Sequence, residues 1–397
     1  MPATKLFRDF FNSEKSSGIL LILFTVASLV IANFIAGQPY LDFWHQKAGF
    51  TIGSFTINLS LEHWINDGLM AIFFLLIGLE IERELYVGEL SSIKNAALPI
   101  VAAIGGMAVP ALIHFAFNGG TATQNGFGIP MATDIAFALG ILSLAGNRVP
   151  LSLKIFLTAL AIIDDLGAIL IIAIFYTNEL HTTYLLIALS ILAILFVLNR
   201  LKIYQLIWYI IGGVIMWYCM LQSGVHATIA GILLAFVIPF GDGKENSPSY
   251  RLQHFLHKPV AFLIIPIFAL ANTGIIFNGS VQDIVLNNNS MGIIGGLLIG
   301  KPLGILLLCF IAIKLKIASL PEGVNWLQLT GAGVLAGIGF TMSIFITLLA
   351  FSDNNIIQYS KIAILLSSLV AGVVGYFLVK KAISSSPVET EVEKRLK

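Results

Sequence analysis

With 397 residues, 57% of them hydrophobic and only 11% charged, the chain carries less than half the roughly 25% of charged residues usual in a soluble domain. A net charge of +1 provides no global field for nucleic acid or an acidic partner. The two cysteines, Cys219 and Cys309, lie in apolar runs without CxxC spacing, which argues against a redox pair or a thiolate metal centre. Windows of about 20 apolar residues, the length that crosses a bilayer, recur along the chain, so the sequence describes an integral membrane protein.

In chain order, the stretch up to Gly18 is basic and partly amphipathic, and the apolar run from Ile19 to Ile35 is longer than a signal-peptide core. It is read as a first membrane helix. The predicted helices cover residues 17–36, 63–86, 96–118, 127–145, 151–176, 181–199, 205–221, 224–240, 257–278, 290–314, 327–350 and 358–382, twelve in an all-α polytopic fold. Residues 1–383 form one membrane domain in this reading, and the polar segment 384–397 has too few apolar residues to pack.

Between the first two helices, "AGFTIGSFTINLSL" (48–61) alternates apolar residues around Gly53-Ser54, which predicts a β-hairpin. A lone hairpin is marginal in water. Either it pairs with a second copy of the chain, the preferred reading, or it folds back on its own helices.

Basic residues alternate between the two ends of the predicted helices. Lys5, Arg8 and Lys15, then Arg83 and Lys94, and finally Lys380 and Lys381 mark one end, while the intervening loops carry only Lys47 and Lys361. Basic short loops face the cytoplasm, so both termini are expected there.

The expensive residues are acids in mid-span. "LTALAIIDDLGAILIIAIFY" places Asp164 and Asp165 side by side, and Asp134 lies in the preceding span. Each costs about 2.5 to 3.5 kcal/mol at the centre of a membrane helix. One such acid suits a hydrogen-bonded tie between helices, but three imply function. Adjacent helical residues differ by about 100°, so Asp164 and Asp165 cannot share a face, yet both can border one cavity.

Buried, crowded carboxylates exchange protons nearer neutral pH than exposed ones. Their oxygens, with hydroxyl and freed carbonyl groups, also suit a small hard cation. A site that holds either protons or a cation is the physical basis of antiport, and exchange that empties both acids of protons for one cation moves net charge.

Two further segments, "NGFGIPMATDIAFALGIL" and "GAGVLAGIGFTMSIFITL", are glycine-rich and carry Thr133 and Thr341 in mid-span. Paired interrupted helices of this kind point to a transporter site. Lys301, in "LLIGKPLGILLL", is read as a counter-ion to the acids rather than a lysine reaching for an interface.

Near the cytoplasmic ends, Glu80, Arg83 and Glu84 share one helical face, and Arg251, His254 and His257 lie in "RLQHFLHKP". Histidine titrates near neutral pH, so these groups form either a pH-responsive cluster or an ordinary interfacial ion-pair patch. His226 is read as structural.

Two rival functions are weighed against antiport. An intramembrane aspartyl protease places an Asp on each of two helices within Gly-x-Gly-Asp, but Asp134 follows Ala-Thr and Asp165 follows Asp164. A Na⁺-coupled organic-anion symporter of related architecture has no need of a carboxylate pair and a buried lysine. No ATP-binding motif or resident cofactor is expected.

From about Phe10 to Val379 the chain resembles the NhaA-type Na⁺/H⁺ antiporters of bacterial inner membranes. The resemblance rests on "WINDGLMAIFFLLIGLEIERE", "IPMATDIAFALGIL", "LTALAIIDDLGAI", "SGVHATIAGILLA", "LIGKPLGI" and "GIGFTMSIF", in that order. It implies an inverted-topology repeat with two crossed discontinuous helices, and electrogenic export of Na⁺ or Li⁺ in exchange for H⁺, serving pH homeostasis. It implies that Asp164 and Asp165 bind the ion, Asp165 centrally, and that Thr133 and Asp134 lie in the unwound crossing helix, where the Asp offsets helix dipoles. By the same resemblance Lys301 is the membrane lysine, Gly339 sits in the partner crossing segment, and Asp67 lies on the outer funnel side. Glu80, Arg83, Glu84, Arg251, His254 and His257 match the region associated with pH response. Where the family often has a glutamate, just before His254, this chain has Gln253, so a shifted or flatter pH profile is expected.

Overall fold

A computed structural model describes residues 2–52, 55–146, 148–176, 180–277 and 281–384. Hydrocarbon offers no hydrogen bonds, so a spanning backbone must satisfy its own polar groups, and the α-helix does this within one segment. Among the described residues ten helices are long and apolar enough to cross a membrane, and the bent pair Trp326–Ala336 and Phe340–Ala350 makes an eleventh span. Each overlaps a predicted segment, but the span predicted at 257–278 is observed as Pro248–Asn272, so Arg251 and His254 lie on its first helix and not before it. Leu186, Ile194, Ile207 and Val214 on two peripheral helices are exposed, as a lipid-facing surface requires, whereas Leu139, Leu160, Leu335 and Phe345 are buried at the centre.

The predicted span 224–240 differs. Its only α-helix is Ile229–Ala235, about 10 Å long at 1.5 Å per residue, extended by tighter turns such as Gly231 N–H to the Thr228 carbonyl and Ile238 N–H to that of Ala235. The segment begins after Gly224, whose φ of 83° ends the preceding helix, and Pro239 and Gly241 close it. Hydropathy counts its apolar residues but not these breaks. The short helix packs closely on Leu61–Tyr86: a Cβ on Gly231 would lie 2.1 Å from the Ala71 carbonyl oxygen.

Two spans are interrupted at mid-depth. In Gln124–Leu144, a 3₁₀ stretch Gln124–Met131, which contains Pro130, gives way to extended backbone and then to the helix Ile135–Leu144. Residues 337–339 separate Trp326–Ala336 from Phe340–Ala350, with a bend of 41°. The two interrupted segments run in opposite directions, since their contacts pair Ile129 with Ser343 and the later Asp134 with the earlier Ile338. They meet at their breaks, where the Asp134 N–H donates to the Ile338 carbonyl at 2.7 Å and the Ser343 hydroxyl donates to that of Ile129 at 2.7 Å. Freed backbone groups are thus satisfied within the protein.

The hairpin forms as expected, with strands Lys47–Ile52 and Phe55–Ser60 pairing antiparallel, Lys47 opposite Ser60 and Ile52 opposite Phe55. The Gly53-Ser54 turn lies outside the described residues. Ile57 is buried within the single chain, and the Trp64 indole donates to the Ala48 carbonyl at 2.8 Å, fixing the hairpin to the start of the second span.

Lys361 requires a correction. It is not a loop residue: the last helix begins at Asn354 and runs to Ser384, and Lys361 within it is only 8% exposed. The N–H groups of Asn355 and Ile356 bond to the Asp353 carboxylate at 2.8 and 3.1 Å, so the helix starts a turn earlier than its apolar pattern suggests. The predicted tail beyond Ser384 lies outside the described residues.

Candidate functional site

The helix Leu151–Phe175 carries both acids at its middle, and each is 1% exposed. Asp164 is the bonded member of the pair. Its Oδ2 lies 2.8 Å from Lys301 Nζ, with both side chains fully buried, and 2.8 Å from the Thr133 hydroxyl. That hydroxyl also lies 2.9 Å from the Ala336 carbonyl, so its one proton is shared between two acceptors. Lys301 donates in addition to the Met131 carbonyl. It follows directly on a π-helical turn, Gly296–Gly300, a local widening often found at functional positions.

Asp165 is placed differently. It lines a cavity of about 50 Å³, room for a few waters, together with Asp134, Thr341, Glu80, His257 and apolar groups such as Phe73. Oδ1 of Asp164 and Oδ1 of Asp165 are buried with no hydrogen-bond partner among the described residues. Two unsatisfied carboxylate oxygens on neighbouring residues are what a small hard cation would use. The prediction that adjacent acids border a cavity on different faces holds for Asp165, whereas Asp164 turns towards Lys301.

Asp134 joins the two breaks. Its Oδ1 accepts from the Phe137 N–H at 3.0 Å, capping Ile135–Leu144. Its Oδ2 accepts from the Thr341 N–H at 3.1 Å and from the Thr341 hydroxyl, in the first turn of Phe340–Ala350. One carboxylate therefore faces the positive ends of two half-helices, while Lys301 meets a carbonyl at the end of Gln124–Met131, an arrangement that opposes charge to dipole at each terminus. A Cβ on Gly339 would sit 2.1 Å from Oγ of Ser343, the residue of its own segment whose hydroxyl reaches across to the Ile129 carbonyl.

The cavity runs from Asp165 towards the Arg83 end of the molecule. Glu80 and His257 line it, whereas Arg83, Glu84, Arg251 and His254 are not among its lining residues. Arg83 Cζ lies 6.0 Å from the Tyr250 ring, which stacks on His254 at 6.1 Å and 5°. Glu84 accepts from the Glu89 N–H at 2.9 Å, and Arg251 is exposed. At the opposite end, the Asp67 carbonyl accepts from the Trp217 indole at 2.8 Å. The His226 ring is hydrogen-bonded to the Tyr176 carbonyl at 2.7 Å, which agrees with a structural role.

Sequence reasoning missed the carbonyl partners from Met131 and Ala336, which no residue type announces, and the pairing of Thr341 with Asp134. For Thr341 a signal exists in its mid-span position beside a glycine-rich break.

The model of the family "Na+/H+ antiporter 1" matches residues 8–379. The chain belongs to that family. It is 61% identical over 391 residues to the Na⁺/H⁺ antiporter NhaA of Flavobacterium psychrophilum, covering 98% of this chain and 100% of the relative. It is 59% identical over 377 residues to that of Dechloromonas aromatica, covering 94% and 95%. An Escherichia coli NhaA antiporter matches at 51% over 371 residues, covering 92% and 96%.

Membership makes the chain a multi-pass bacterial membrane transporter and not an enzyme. Neither the protease nor the organic-anion symporter finds support among these relatives.

Proposed function

We propose that this Na⁺/H⁺ antiporter binds its cation at Asp164 and Asp165 and exchanges it for protons by alternating access around the crossed helices. The observation that carries the reading is the asymmetry of the pair: Asp165 faces the cavity, while Asp164 is locked to Lys301 at 2.8 Å. A cation entering from the cavity meets Asp165 first. It gains its second carboxylate oxygen as Lys301 yields Asp164, and the two proton equivalents released come from Asp165 and from the Asp164–Lys301 couple. Exchange of two protons for one monovalent cation is electrogenic, so the membrane potential helps to drive sodium or lithium export.

In this reading Thr133 and Asp134 hold the crossing in register and offset the helix ends, and Gly339 allows the crossing to close. The end bearing Arg83, Arg251, His254 and His257 faces the cytoplasm, as the alternation of basic loops supports, and both termini lie on that side of the inner membrane. Glu80 and His257 at the mouth, with Arg83, Glu84, Arg251 and His254 behind them, make entry sensitive to cytoplasmic pH. Residues 1–383 act as one transporter domain in contact with membrane lipids. The hairpin 48–61 projects at the opposite face, where pairing with a second copy gives a homodimer.

Reconstituted vesicles with an internal pH dye test the site. Addition of Na⁺ should move protons in the wild type and not in Asp164→Asn or Asp165→Asn; normal exchange in both variants would refute the assignment.

A further inference from the structure

"GLEIERE" holds three acids at alternate positions, Glu80, Glu82 and Glu84. At about 100° per residue, Glu82 points roughly 200° away from Glu80. It cannot line the mouth that Glu80 lines, and it is nevertheless the acid of the three that is buried, at 5% exposure. A carboxylate in such a place costs more than an apolar side chain of its size unless a specific partner requires it.

The partner is on another helix. Glu82 Oε2 accepts from the hydroxyl of Ser249 at 3.2 Å, and Ser249 is 1% exposed. Ser249 is the second residue of Pro248–Pro259. The Ser247 side chain caps that helix by accepting from the Tyr250 N–H at 3.3 Å, and the Ser249 N–H reaches the Pro239 carbonyl at 3.3 Å. Glu82 therefore places a negative group against the positive end of this helix, at a start held by two further bonds. The opposite face of its own helix presents Glu80 to the cavity, and two turns beyond Ser249 the second helix presents His257 to the same cavity.

We infer that Glu82 is a positioning residue: through Ser249 it sets the spacing between the Glu80 helix and the His257 helix, and with it the pH at which the mouth admits the cation. This rests on the pH-responsive reading of the mouth and names the contact that tunes it.

The other charged groups around the anchor can be separated from it. Glu80, Arg83 and Glu84 share the helix of Glu82, and Glu89 follows in the next turn. The helix Pro248–Pro259 contributes Arg251, His254, His257 and Lys258, and the loop before it contributes Asp242, Lys244 and Glu245. Leu151–Phe175 brings Lys154, Asp164 and Asp165. Ile229–Ala235 and Val260–Ile264, also packed on the Glu82 helix, bring no charge. None of these changes in the variants that follow.

Sodium-driven proton movement in vesicles, recorded across pH for Glu82→Ala, Ser249→Ala and the double variant, tests the anchor. Both single variants should move the half-maximal pH in the same direction by roughly half a unit, about threefold in proton activity, with the maximal rate retained. The double variant should move it no further, as expected of two groups acting through one contact. Glu82→Gln keeps an acceptor for Ser249 and should retain the wild-type profile, and with Ser249→Ala it decides the matter if Glu82→Ala fails to fold. Unchanged profiles in Ser249→Ala and Glu82→Ala, additive shifts, or a Gln variant shifted as far as the Ala variant would each overturn the anchor while leaving pH response intact. A wild-type rate independent of pH would overturn the anchor and the pH-responsive mouth together.

Discussion

Asp164 and Lys301 form an ion pair 2.8 Å long with neither side chain exposed, while Asp165, the next residue, borders the cavity instead. Removing one partner of a buried pair strands the other charge and costs about 3–5 kcal/mol, whereas removing both often costs little. Thermal melting in detergent should therefore show Lys301→Ala strongly destabilised, and Lys301→Ala combined with Asp164→Asn melting closer to the wild type. A double variant as unstable as the sum of its parts would show that the two groups do not depend on each other.

Asp134 is bonded to both half-helices. Asp134→Ala removes the cap of Ile135–Leu144, a loss of about 0.5–2 kcal/mol for a single cap, and also frees the Thr341 N–H and hydroxyl. Thr341→Val removes only the hydroxyl bond, worth about 1 kcal/mol or somewhat more to a charged acceptor. Melting temperatures should fall in the order wild type, Thr341→Val, Asp134→Ala, with sodium-dependent exchange lost in the last and reduced in the other.

Gly339→Ala tests the bond by which Ser343 ties the two crossing segments. The added Cβ would lie 2.1 Å from Ser343 Oγ and 3.1 Å from Leu297, so the Ser343 side chain must leave the Ile129 carbonyl to which it now donates. Overpacking of a tight site costs roughly 1–3 kcal/mol. Gly339→Ala should lower the exchange rate, and the further change Ser343→Ala, which removes the nearest of these contacts, should restore part of it.

Gln253 stands one residue before His254 on the helix Pro248–Pro259. Gln253→Glu adds a titrating carboxylate to the region behind the mouth, so the activity-pH curve should steepen or shift while the maximal rate stays near that of the wild type. An unchanged curve would remove Gln253 from any account of pH response.

The paired acids and Lys301 are legible in the sequence because charge in hydrocarbon is expensive and stands out in an apolar run. Thr133, Thr341 and the glycine-rich breaks are legible because polar and flexible residues at mid-depth mark where helices unwind. The carbonyl ligands of Lys301 and Thr133 are not legible, since every residue carries a carbonyl and only the break frees those of Met131 and Ala336. Hydropathy overstates 224–240, where Gly224, Pro239 and Gly241 limit the α-helix to Ile229–Ala235. It also hides the start of the last helix, which the polar capping residue Asp353 sets. Glu82 resembles its half-buried neighbours Glu80 and Glu84 until the fold brings Ser249 to it.

Proton release on sodium binding, measured in unbuffered detergent solution at constant temperature, tests the role of Asp165 most directly. The wild type should release protons when Na⁺ is added, and Asp165→Asn should release none and bind no sodium by calorimetry, while melting near the wild-type temperature. Sodium-triggered proton release of wild-type size from Asp165→Asn would contradict the assignment of the cavity-facing carboxylate as the group that holds either the proton or the cation.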